Sequence, residues 1–157
     1  MAAVPEQVIK TWKEIVRVAR QYQGSELWLY RVSKDNFGKN TNKCNQFVFD
    51  VLTEAGVVPL PYIIKTFLGM GYGRRAPTAG EWADDSESFT AWAVVNDPSP
   101  GDVVAEAHEY SDATGHVGIV VGARQTASAS SLEGGRIVIN DWGFRADSAP
   151  TFRRYVG

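Results

Sequence analysis

A single cysteine, two histidines and two methionines stand in a chain of 157 residues. One thiol excludes an internal disulfide, so the chain folds without the oxidative cross-links that many small secreted domains use. No run is apolar enough to span a bilayer. Neither sign of charge dominates: 16 Lys and Arg against 18 Asp and Glu leave a formal net charge of −2. That balance gives no general attraction to nucleic acid or to an anionic membrane. Repeats and low-complexity tracts are absent. Paired metal-ligand spacings such as Cys-x-x-Cys or His-x-x-x-His are also missing, so no metal and no cofactor is called for. No secretory leader is recognisable either. Met1 to Arg20 carries Glu6, Lys10, Lys13, Glu14 and Arg17 at close intervals, the pattern of an amphipathic helix.

What is present suits one soluble domain spanning residues 1–157, with 44% apolar and 22% charged residues. Val8, Trp12, Ile15, Val16 and Ala19 recur at helical spacing and predict a helix over 5–22, with Pro5 in its first turn. Residues 23–41 read as a polar loop around Asp35, Asn36, Phe37 and Gly38. Asn42 is the expected N-cap of a second helix whose buried stripe is Phe47, Val48, Val51, Leu52 and Ala55; Gly56 ends it. Residues 69–77 read as a flexible glycine-spaced loop. A phosphate loop is not supported there, because no strong strand precedes it and no Lys-Ser/Thr follows. Thr78 to Glu81 has capping-box spacing and predicts a short helix bearing Trp82, with Phe89 and Trp92 in its continuation. Beyond the turn Pro98 to Asp102, strands are expected at 103–105, 116–121, 125–130 and 136–140. Helices first and strands later indicate an α+β fold with an antiparallel sheet.

Two residues carry candidate chemistry. Cys44 falls in the first turn of the second helix, where the helix dipole favours an anion such as a thiolate. His116 opens the strand Gly115 to Gly122. A thiol and an imidazole brought together by the fold form a nucleophile–base pair. Each also has a plain structural reading: a lone cysteine in an amphipathic helix as a small buried hydrophobe, and a strand histidine held by hydrogen bonds. His108 lies among Glu106, Glu109 and Asp112 and reads as part of a solvated acidic loop.

The combination is more specific than either residue. Cys44 followed by Phe47 and Val48, then Pro100-Gly101-Asp102-Val103-Val104, then Gly-His-Val-Gly-Ile-Val-Val-Gly over 115–122 resembles the NlpC-like and CHAP-like amidases. These are papain-like cysteine peptidases that cleave peptidoglycan peptides. The resemblance implies a papain-like fold with N-terminal helices packed on the sheet. It makes Cys44 the nucleophile and His116 the base. An amide carbonyl is attacked, the amine leaves with a proton from His116, and water hydrolyses the thioester. The Cys44 backbone N–H is expected to hold the oxyanion with a second donor. The chain departs from the family around the nucleophile, where Lys43-Cys44-Asn45-Gln46-Phe47 replaces the frequent Asp-Cys-Ser-Gly-Phe. The third polar residue is open. Asp141 is preferred, because a carboxylate fixes the imidazole tautomer and stabilises the imidazolium; Asn140 and Ser128 are the alternatives. Alternation along a strand turns Asn140 and Asp141 to opposite sides, so at most one of them serves. Trp82, Trp142 and Tyr72 are expected to line a groove for bulky peptides.

Compact relatives of this kind include housekeeping hydrolases, phage endolysins and type VI secretion amidase effectors. Without a recognisable leader or wall-binding domain, the expectation is a protein made in the bacterial cytoplasm. It would be delivered to the cell wall of a target cell by secretion or lysis, and a cognate immunity protein is an implied partner. A cysteine protease or deamidase acting on proteins would use the same pair. A non-catalytic binding module would keep Cys44 only as core.

Overall fold

The computed structural model describes residues 3–32, 34, 42–66, 72–108 and 113–157. The expected loop around Asp35 to Gly38, the first part of the 69–77 loop, and Glu109 and Asp112 fall outside these residues.

Helix α1 (Glu6–Gln21) follows Pro5, whose fixed φ suits the N-cap it occupies, one place before the first turn. Ile15, Val18 and Ala19 face the core and are fully buried. Helix α2 (Cys44–Glu54) buries Phe47, Val48, Val51 and Leu52. Its C-terminus is closed as the sequence suggested. Gly56 adopts φ +81, its N–H donates to Thr53 and the Val57 N–H donates to Leu52, which satisfies the last carbonyls. The N-cap is Lys43 rather than Asn42.

Strands β1 (Ile63–Thr66) and β2 (Tyr72–Arg75) form a separate antiparallel pair, so 72–75 is strand where a loop was expected. Helix α3 (Ala79–Ala83) starts with the capping box that its sequence announces, Thr78 and Glu81 bonding reciprocally. It stops after five residues. Phe89 and Trp92 therefore do not continue it; Trp92 opens β3 (Trp92–Val95). Then follow β4 (Val103–Ala107), β5 (Gly115–Gly122), β6 (Gln125–Ala129), a 3-10 turn at Ser131–Glu133, β7 (Ile137–Asn140) and β8 (Thr151–Tyr155). These six strands make one sheet in the order β3-β8-β4-β5-β6-β7, with every neighbouring pair antiparallel. The molecule is α+β and papain-like, with α1 and α2 on the sheet.

Alternation along β5 and β6 sorts their residues between faces. Val117, Ile119, Val121, Ala127 and Ala129 join the helices in the core. His116 and Ser128 fall on the alternate positions. The Pro-Gly-Asp turn has a structural role. Gly101 has φ +100, and a Cβ there would meet the Trp12 backbone of α1. Asp102 is buried, accepts from the Ser99 N–H at 2.8 Å, and is bridged by Arg154 at 2.9 and 3.0 Å. Burial pushes the Asp102 carboxyl up against the pull of Arg154, while Arg154 itself is raised by the pair. Such a pair fixes the turn more than it adds stability.

Candidate active site

The first turn of α2 packs against the start of β5. The Cys44 Sγ lies 3.9 Å from the Gly115 carbonyl oxygen, one residue before His116. Cys44 is 2% exposed. The pairing of β4 and β5 at this point needs glycine: a Cβ on Gly115 would run into the Glu106 carbonyl oxygen of β4. Lys43 anchors the start of α2 from below. It is buried, its Nζ donates to the Leu29 and Tyr30 carbonyls at 3.0 and 3.3 Å, and burial lowers its pKa. The lysine that departs from the family pattern therefore joins the helix to the loop after α1. Its position beside a cysteine offered no sequence signal of that role.

The His116 ring is held on two sides. Nε2 lies 3.1 Å from Ser128 Oγ. The Trp142 ring meets the imidazole edge-on, with centroids 4.5 Å apart and planes at 90°. Desolvation pushes the His116 pKa down from 6.5 to about 4, so the resting ring is neutral at neutral pH. Gly118 keeps this arrangement tight: a Cβ there would lie 2.7 Å from the Ala127 carbonyl and 2.9 Å from Ser128 Cβ.

Of the three residues considered for support of His116, the structure places Ser128 at the ring. Asp141, the preferred one, lies elsewhere. Its carboxylate is 55% exposed and pairs with Arg145 at 2.8 Å, which holds its pKa below the ordinary value. The turn that follows β7 carries it out to solvent. Asn140 is exposed as well; its Oδ1 accepts from the Trp142 N–H at 3.0 Å, so it shapes the turn that presents Trp142.

Of the aromatics expected to line a groove, Trp142 is half-buried and borders a cavity of about 80 Å³ with His116, Ser128 and Leu132. Trp82 does not belong there. It is 1% exposed and packs against Phe89 and Trp92 in the core, where no peptide reaches it. Tyr72 opens β2, and its side chain lies outside the described residues.

A larger cleft of about 350 Å³ is lined by Asn42, Cys44, Asn45 and Gln46 and shares no lining residue with the His116 cavity. Two contacts fix its wall. Asn45 Nδ2 donates to the Pro77 carbonyl at 3.2 Å, and Arg75 holds Glu81 with two bonds of 2.6 and 2.8 Å. Burial acts to raise the Glu81 pKa, but Arg75 and Thr78 outweigh it and leave it lowered. Among its lining residues, the Cys44 N–H donates to Asn42 Oδ1 at 3.0 Å. The N–H expected to hold the oxyanion is therefore partnered by Asn42 in this structure.

The arrangement offers a thiol at a helix N-terminus, a neutral imidazole oriented by a hydroxyl on the next element, and a cleft beside the thiol. No curated protein matches the chain in sequence. A family model, the CHAP domain, matches residues 34–139, more than half of the chain, and this span contains Cys44, His116 and Ser128. The chain therefore belongs to the CHAP domain family of peptidoglycan amidases and peptidases.

Proposed function

We propose that the protein is a cysteine amidase that hydrolyses amide bonds in the stem or cross-link peptides of peptidoglycan, with Cys44 as nucleophile and His116 as base. The observation that carries this reading is the seating of the Cys44 thiol on Gly115, the residue preceding an imidazole that is itself oriented by Ser128. With Ser128 Oγ accepting from Nε2–H, Nδ1 is left bare to take a proton. His116 removes the thiol proton as Sγ attacks the carbonyl carbon, and the C–S bond forms as the oxygen gains the negative charge. Collapse breaks the C–N bond, and the imidazolium gives its proton to the departing amine. Water, deprotonated by the same ring, then hydrolyses the thioester and frees the thiol. A neutral resting imidazole favours general-base activation over a standing ion pair, because burial without a carboxylate partner disfavours imidazolium.

We further propose that it acts in the wall of a target cell, either as an antibacterial effector with a cognate immunity protein or as a lysin. A chain with one cysteine forms no internal disulfide, so its fold does not depend on an oxidising compartment before or after delivery. Alkylation tests the chemistry. One equivalent of iodoacetamide is expected to modify Cys44 and to stop fragment release from purified peptidoglycan. Full activity in the alkylated protein would sink the reading.

A further inference from the structure

The cleft beside Cys44 differs in charge from the molecule around it. Its described lining holds two arginines, Arg74 and Arg75, and no carboxylate, in a chain of net charge −2. The first turn of α2 also opens into it, and the positive end of an 11-residue helix adds to the same potential. The two guanidiniums are not equivalent. Arg75 is taken up by Glu81 and by the Ala76 carbonyl. Arg74 is exposed, and its guanidinium carbon stands 4.5 Å from the centroid of the Tyr62 ring. Stacking occupies the face of the guanidinium and fixes its plane, and it leaves the N–H edge for another partner. No hydrogen bond or ion pair to a described residue uses that edge.

The two cavities share no lining residue: His116 and Trp142 border the small one, and Cys44 lines the larger cleft. In the proposed reaction the leaving amine takes its proton from His116. The acyl half stays bonded to Sγ and lies in the cleft that Cys44 lines. We propose that Arg74 is a specificity-determining residue, which takes a carboxylate on the acyl side of the scissile amide. The enzyme thereby selects anionic peptides. This deepens the amidase reading and rests on it. A stacked guanidinium presents a planar fork that matches a carboxylate with two parallel N–H bonds and discriminates against a neutral carboxamide.

The test uses the full chain carrying Cys44→Ala, which binds without turnover. Two fluorescent peptides differ in one group on the acyl side, a γ-linked glutamyl residue with its α-carboxyl free or amidated. The free acid is expected to bind about 10-fold more tightly, as one charge-assisted pair allows. Arg74→Gln in the same background is expected to remove that preference; Arg74 is exposed, so the core is untouched. Equal or absent binding of both peptides overturns the proposal, as does a preference that survives Arg74→Gln or appears only for a carboxylate on the amine side. Cleavage by the Cys44 protein is read separately. If it cuts neither peptide, the amidase reading falls and this proposal with it. If it cuts both equally well and they bind equally, only the role of Arg74 falls.

Discussion

The half-buried, desolvated imidazole makes stability depend on pH in a way that can be isolated. An unfolded histidine titrates near 6.5, whereas His116 in the fold is pushed down to about 4 by desolvation. Between those values the unfolded chain binds a proton that the folded chain refuses. Stability is therefore lost as pH falls through this window and is regained as pH rises. A shift of this size is worth about 3 kcal/mol when fully expressed, and about 2 kcal/mol of it is expressed between pH 7 and pH 5. Urea unfolding of wild type and His116→Gln at both pH values isolates the effect. All other groups are common to the two proteins and cancel in the difference. Wild type is expected to lose about 2 kcal/mol more than His116→Gln on acidification. Parallel losses would show that the ring ionises freely in the fold, and the account of His116 as a neutral, desolvated base would fail.

Other substitutions separate residues that the sequence could not. Ser128→Ala removes the hydroxyl at Nε2 and should lower kcat about 10-fold with an unchanged melting curve, whereas Asp141→Asn should leave kcat within about twofold, because its carboxylate serves Arg145. Gly118→Ala puts a methyl group against Ala127 and Ser128 and should lower both Tm and kcat, about 1–3 kcal/mol in stability by urea titration. Arg154→Met leaves the buried Asp102 carboxylate without its cation and should cost about 3 kcal/mol by the same measurement.

The parts of the fold written in local periodicity were legible. The stripe of α2, its Gly56 stop, the capping box at Thr78 and the strand around His116 each depend on residues a few positions apart. Strand β8 was hidden because it reads as surface: Thr-Phe-Arg-Arg-Tyr looks solvated. Arg153 is nevertheless 1% exposed and donates to the Trp82, Asp84 and Glu87 carbonyls, while Arg154 holds Asp102. An arginine satisfied by carbonyls from the end of α3 and the loop after it leaves no mark in its own neighbourhood. The support of His116 failed for a related reason. Chemistry favoured the carboxylate of Asp141, but the turn after Asn140 sends it outward, and the β5–β6 register brings Ser128 to the ring instead. Trp82 was read for its chemistry and placed by its packing. The elements that carry Cys44 and His116, the first turn of α2 and the start of β5, were legible because the motifs there are set by backbone needs, glycine at 115 and 118 above all.

Digestion of purified peptidoglycan, with products identified by mass, tests the central claim most directly. Wild type is expected to release fragments carrying new peptide amino and carboxyl ends with intact glycan linkages, and Cys44→Ala and His116→Ala are expected to release none. No fragments from wild type, cuts between sugars, or undiminished release by Cys44→Ala would contradict the account.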